Sequence, residues 1–251
     1  MKGRTMTQSL LGRTAIVTGA AGSGMGRSIA LTLAREGARI VVNFLTSQDK
    51  AGAIVRHIEG QGGTAMACRA DVTQQDQCRA LVGAAVERFG RVDICIIGPG
   101  AGWHAESIDS LDSVGALDDA QKELAPIYHL MPLVLPGMYE RKWGRVIGIA
   151  LTPPYNSPAY AYNVAKAART YTLLLACDAA WQHGVTVNTI GPGPVPALET
   201  LDAAIEQCAH GPAWQERGST SPQDIAEGVT FLCSESGDFI SGAVLPYMFR
   251  S

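Results

Sequence analysis

The stretch Thr14-Ala15-Ile16-Val17-Thr18-Gly19-Ala20-Ala21-Gly22-Ser23-Gly24-Met25-Gly26, running on into Arg27-Ser28-Ile29-Ala30-Leu31-Thr32-Leu33-Ala34-Arg35, decides the fold. Thr14 to Thr18 is a short β-branched and apolar run of the kind a buried strand uses. Ile29, Ala30, Leu33 and Ala34 recur at helical spacing, which predicts a helix over 27–35. The glycines between them allow a tight turn and the close approach of a diphosphate, which then sits against the amides at the helix N-terminus. A glycine-rich stretch alone is weak evidence. Its position between a strand and a helix is the context that dinucleotide binding requires, so Gly19, Ser23, Gly24, Met25 and Gly26 are read as a diphosphate loop.

The same alternation continues outward. Further strands are expected at 39–44, 64–68, 92–97, 145–150, 185–190 and 243–245, and further helices at 48–59, 75–89, 118–140, 161–180 and 224–233. Pro126, Pro132 and Pro136 should kink or break the helix over 118–140. Strands alternating with helices, without hairpin signals, predict an α/β fold: one doubly wound, Rossmann-type parallel sheet covered on both faces. No linker or repeat divides the chain, so residues 1–10 read as an extension and 11–251 as a single domain. Two connections, 98–117 and 191–217, are long for mere links and follow strand C-terminal ends, where open α/β sheets bind ligands.

Composition narrows the function classes. The 251 residues are 47% hydrophobic, ample for a core, and the net charge of −3 gives no electrostatic case for nucleic acid or an anionic membrane. The six cysteines form no metal-ligand spacing and suit free thiols in a reducing compartment. With no apolar leader or membrane-length run, a cytoplasmic protein is expected.

The second strand ends Asn43-Phe44-Leu45-Thr46-Ser47, without a carboxylate. An acidic group there would bind the adenosine ribose and favour NAD. Its absence leaves a 2′-phosphate unrepelled, with Asn43, Thr46 and Ser47 as hydrogen-bond partners, so NADP is expected over NAD. Asp71, followed by Val72, either borders the adenine pocket or is a turn or N-cap aspartate.

Tyr162 and Lys166 stand four apart in a helical pattern, so both point the same way. An ammonium beside a phenol favours the ionised phenol and makes it a proton donor to a carbonyl oxygen near neutral pH. The bland reading is a half-buried tyrosine beside a snorkelling lysine.

The Thr-Gly glycine loop, the doubly wound pattern and Tyr-x-x-x-Lys together resemble the short-chain dehydrogenase/reductase family. Ala70-Asp71-Val72-Thr73, Trp143-Gly144-Arg145-Val146-Ile147 and Val187-Asn188-Thr189-Ile190-Gly191-Pro192-Gly193 extend the resemblance across nearly the whole chain. It implies Tyr162 as acid/base and Lys166 as its tuner and ribose ligand. It also implies that Gly19, Gly24 and Gly26 frame the diphosphate, while Pro192, Gly193 and Val195 border the nicotinamide. A homodimer or homotetramer built on the helices over 118–140 and 161–180 is implied as well, with a small-molecule substrate as the partner.

Departures from the family pattern are specific. Ile97-Gly98-Pro99-Gly100 stands for Asn-Asn-Ala-Gly: only the last glycine survives, Pro99 removes an amide donor, and Gly98 is a candidate cofactor contact. Glu123 falls where the relay asparagine is expected, and there it could hold a water. Leu151 occupies the serine position, which leaves Thr152 one residue on, or Ser157, to orient the substrate oxygen. Ala197 replaces a threonine. His104 is a candidate substitute acid, and Trp103, Tyr155 and Trp214 are candidate pocket walls for an apolar, ring-bearing substrate. The expected activity is hydride transfer to or from a carbonyl/alcohol, C=N or C=C group. The alternative keeps the nucleotide site for non-redox lyase, isomerase or cyclase chemistry, or for binding alone.

Overall fold

The computed structural model describes residues 8–151, 158–211 and 218–247. Seven strands form one all-parallel sheet in the order β3-β2-β1-β4-β5-β6-β7. They are β1 (Thr14–Val17), β2 (Arg39–Phe44), β3 (Ala65–Arg69), β4 (Ile94–Ile97), β5 (Gly144–Ile149), β6 (Val185–Pro192) and β7 (Val244–Tyr247). The order reverses between β1 and β4, and that switch point opens a crevice beyond the strand C-termini.

Both faces of the sheet are covered, so the inner strands are buried and largely apolar. Ile16, Ile40, Ile94, Ile96 and Ile147 are fully buried, each contributing roughly 1.5–3 kcal/mol of transfer free energy. One face packs on α1 (Met25–Arg35), α2 (Gln48–Gly60), α7 (Leu201–His210) and α8 (Pro222–Cys233). The other packs on α3 (Gln75–Phe89), α4 (Ser113–Glu140), α5 (Tyr160–Leu174) and α6 (Cys177–Trp181). The N-terminus of α8 carries a capping box, Ser221 with Asp224, around Pro222. Leu10 is already buried, its amide donating to the Glu36 carbonyl.

Three element expectations are corrected. The 118–140 helix begins at Ser113, capped by Asp112, and runs unbroken through all three prolines. Its buried face of Ile127, Leu130, Met131, Val134 and Met138 lies along the sheet and α5, and this packing outweighs the local hydrogen-bond losses. The 191–217 connection contains α7, capped by the Thr200 hydroxyl accepting from the Ala203 amide. The helix over 161–180 divides at Leu175–Ala176 into α5 and α6. Among the described residues no helix is long and apolar enough to cross a membrane.

Candidate active site

The β1–α1 loop is held by short-range sterics and one long-range amide. Gly19 adopts φ +62°, and a Cβ there would meet Pro99 Cγ at 2.7 Å. A Cβ on Gly26 would meet the Gly19 carbonyl oxygen at 2.7 Å, so α1 can approach the loop only as glycine. Thr18 Oγ1 donates to the Ile96 carbonyl at 2.9 Å and accepts from the Gly98 amide at 2.8 Å, tying β1 to the turn after β4. The first turn of α1 carries no acidic residue, and its N-cap, Gly24, makes no side-chain cap bond. Open space surrounds Gly24. Amides at an uncapped helix start beside an open glycine can hold a dinucleotide diphosphate.

Asn43 requires a correction. It is buried rather than presented to a ribose. Its Oδ1 accepts from the Gly19 amide at 3.2 Å, and its amide nitrogen donates to the carbonyls of Cys68 at 3.3 Å and Ala70 at 3.0 Å. Its nitrogen is committed to the end of β3 and the residue beyond it, and its oxygen to the glycine loop. Asp71 forms a turn, its Oδ1 accepting from the Thr73 amide at 2.9 Å and the Thr73 hydroxyl at 2.7 Å; Val72 is buried behind it. Sequence reasoning missed Arg69. From the end of β3 its Nε donates to the Leu45 carbonyl at 3.0 Å, laying an exposed guanidinium across the β2 end next to Thr46. The signal was strand register, since Arg69 pairs with Phe44.

A cleft of about 820 Å³ opens between the glycine loop, β5 and α5. It is lined by Met25 and Gly98, by Ile149, Ala150 and Leu151 at the end of β5, by Tyr162, Asn163 and Lys166 of α5, and by Pro192, Gly193 and Val195 at and after the end of β6. Trp103 closes one edge while remaining 59% exposed. The loop after β6 is fastened to the glycine loop, since the Leu198 amide donates to the Ser23 carbonyl at 2.9 Å and Arg27 donates to the Leu198 carbonyl. Leu151 is among the cleft-lining residues. Thr152, Tyr155, Ser157 and Trp214 lie outside the described residues. His104 is not among the cleft-lining residues; its Nε2 lies 3.7 Å from Glu106 and 3.6 Å from Asp119.

Lys166 Nζ lies 5.5 Å from the Tyr162 ring centroid, so the helical spacing does bring the pair together. Beneath them is a charge cluster. Lys166 Nζ is 2.9 Å from Glu123 Oε1, and Arg169 Nη1 is 2.8 Å from Glu123 Oε2; Glu123 and Arg169 have no exposed side-chain surface. Glu123 therefore takes two cations, and its Oε1 also accepts the Ala101 amide at 2.6 Å. Burial lowers the pKa of Lys166, as does the charge of Arg169, while Glu123 opposes both.

A doubly wound sheet with a glycine-loop crevice and a tyrosine–lysine pair on its wall defines an oxidoreductase-type α/β enzyme. A family model described as enoyl-(acyl carrier protein) reductase matches residues 19–247. The 7α-hydroxysteroid dehydrogenase of Escherichia coli (strain K12) is 32% identical over 242 residues, covering 93% of this chain and 92% of that one. The 3-oxoacyl-[acyl-carrier-protein] reductase FabG of Staphylococcus epidermidis is 30% identical, covering 94% and 97%. A 7α-hydroxysteroid dehydrogenase structure complexed with NADH and 7-oxo glycochenodeoxycholic acid superposes with a TM-score of 0.83 at 28% identity, covering 97% of this chain and 96% of that one. The chain belongs to the short-chain dehydrogenase/reductase family and is an oxidoreductase of that class.

Proposed function

We propose that this enzyme interconverts a carbonyl and an alcohol, or a related C=N or C=C group, on an apolar, ring-bearing small molecule, with NADP(H) preferred over NAD(H). The observation that carries the proposal is the cleft itself, whose mostly apolar lining brings Tyr162 and Lys166 together with Pro192, Gly193 and Val195. The bound nicotinamide supplies the hydride. Tyr162 gives or takes the proton at the substrate oxygen, and Lys166 holds the nicotinamide ribose and favours the ionised phenol. With Leu151 in the cleft, the oxygen-orienting hydroxyl is assigned to Thr152. The diphosphate is assigned to Gly19, Ser23, Gly24, Met25 and Gly26, with Val72 and Gly98 bordering the cofactor.

The NADP preference is supported by the β2 end, which carries no carboxylate, and by Arg69 lying across it beside Thr46. The ring-bearing substrate is supported by Trp103 and Leu151 on the cleft wall and by the steroid relative's own bound ligand. Subunits pairing through α4 and α5 are supported by the exposed Val114, Leu117, Tyr128, Val164, Tyr171 and Leu175.

The test has two stages. Titration with NADPH and NADH, read by nicotinamide fluorescence, should give tighter NADPH binding. Turnover of a cyclic ketone panel should fall about 100-fold or more in Tyr162→Phe, with cofactor affinity retained. Conversion of a substrate without any change in NADPH absorbance would select the non-redox alternative that Leu151 motivates.

A further inference from the structure

Glu123 sets a problem for the site it underlies. A carboxylate 2.9 Å from the Lys166 ammonium forms, by itself, a neutral pair. A neutral pair projects little positive potential toward Tyr162, whereas an unopposed ammonium projects a full charge at the same range. Arg169, from the next turn of α5, changes the sum. Its Nη1 meets the second Glu123 oxygen at 2.8 Å, so two cations share one anion and the cluster keeps a net charge of about one positive unit, inside a buried and weakly screened space. Arg169 also lies within electrostatic reach of the Tyr162 phenol.

The same guanidinium fixes the backbone beside the cleft. Nη1 donates to the Pro99 carbonyl at 2.7 Å and Nη2 to the Ile97 carbonyl at 2.6 Å. These bonds bracket Gly98, which lines the cleft. Among the described residues that line the cleft, Lys166 is the one charged side chain. β5 contributes Ile149, with Ala150 and Leu151 beyond it, β6 and its following loop contribute Pro192 to Val195, and the turn after β4 contributes only backbone groups. From α4, Glu123 meets Lys166, while Asp119 of α4 and Glu106 of its preceding loop lie 3.6 and 3.7 Å from His104 Nε2.

We propose that Arg169 is a positioning residue of this reaction: by offsetting Glu123 it keeps the Lys166 charge available to the Tyr162 phenol, and it holds the Ile97–Pro99 turn against the cleft. The role rests on the acid/base assignment of Tyr162. Two changes made together distinguish it from ordinary packing, because charge balance predicts a rescue that packing does not. In Arg169→Met, Glu123 and Lys166 form a neutral pair and the phenol loses its cation. In the double variant Glu123→Gln/Arg169→Met, Lys166 stands beside a neutral amide and the positive charge returns. Arg169→Lys keeps the charge while giving up the fork that holds two carbonyls.

The experiment is a tyrosinate titration by ultraviolet absorbance, in which the Tyr162 component is the difference between each protein and its Tyr162→Phe counterpart. It needs no substrate, so it reports on Arg169 even if the oxidoreductase assay finds no turnover. Arg169→Met should raise the Tyr162 midpoint by about one pH unit or more. Arg169→Lys should leave it within a few tenths of a unit, and the double variant should return it toward the wild-type value. With a turnover substrate in hand, kcat of Arg169→Met at neutral pH should fall about tenfold and recover at higher pH, with KM little changed. An unmoved midpoint in a folded Arg169→Met overturns the proposal, as does a double variant no closer to wild type than the single. Should Arg169→Met not fold, the double variant still decides, because replacing both members of a buried pair is tolerated better than removing one. A midpoint far from wild type in that protein overturns the proposal equally.

Discussion

Gly100 lies against Glu123 so closely that a Cβ at residue 100 would collide with both carboxylate oxygens. The carboxylate cannot swing aside, because Lys166 and Arg169 hold its two oxygens and the Ala101 amide donates to one of them. The Glu123 carboxylate thus leaves no room for a side chain at residue 100. Gly100→Ala should lower the unfolding free energy by about 1–3 kcal/mol, the usual range for forced overpacking, with the loss measured by urea denaturation. Unchanged stability would mean that the cluster relaxes freely and that its geometry is not a constraint.

Asn43 leads to a prediction that separates scaffolding from recognition. Its side chain satisfies the Gly19 amide and the carbonyls of Cys68 and Ala70 from a buried position. Asn43→Ala should therefore cost about 1–3 kcal/mol through the stranded partners. The loosened glycine loop should weaken NADPH and NADH by the same factor. A change in the NADPH-to-NADH affinity ratio beyond about threefold would return Asn43 to the ribose site, since one lost charge-neutral hydrogen bond is of that order.

What the sequence displays is what local sterics and helical period control. Gly19 and Gly26 are legible because no other residue fits where backbone meets backbone, and Tyr162 and Lys166 because four residues make about one turn. The helix α7 was hidden behind Gly191-Pro192-Gly193-Pro194, a stretch whose turn chemistry is strong. Yet Thr200 as cap, with Ala204 and Cys208 buried at helical spacing, carried the signal. The unbroken α4 was illegible for another reason: three prolines argue locally against it, and only its buried face outweighs them. Glu123 and Arg169 are 46 residues apart, so no local pattern pairs them. Glu123 stood out by its place at the family's relay asparagine, whereas Arg169 left only the trace of a charge set among apolar helix positions.

Arg69 carries the cofactor preference in this reading. One nitrogen is committed to the Leu45 carbonyl, which fixes the guanidinium plane at the β2 end. Arg69→Ala should weaken NADPH by about tenfold, the order expected for one charge-assisted bond, and leave NADH within about twofold. Isothermal titration with each cofactor measures both values. Equal losses for the two would place Arg69 in the adenine wall instead, and the preference would need another source.

Lys166 gives stability a pH dependence whose sign follows from its surroundings. Burial and Arg169 lower its folded-state pKa below the ordinary 10.5, against the pull of Glu123. Above that lowered value the folded protein binds fewer protons than the unfolded chain, so this group's contribution rises with pH. The cost of burying the ammonium is present in full below the folded pKa and fades as the pH climbs toward 10.5. Lys166→Met leaves Glu123 balanced by Arg169 alone and carries no such term. The melting temperature of the wild type minus that of Lys166→Met should therefore shift in favour of the wild type between neutral pH and about pH 10. A difference that shifts the other way would mean that Glu123 binds the ammonium more strongly than burial and Arg169 oppose it. In that case the charge would be spent on the carboxylate rather than held over for Tyr162.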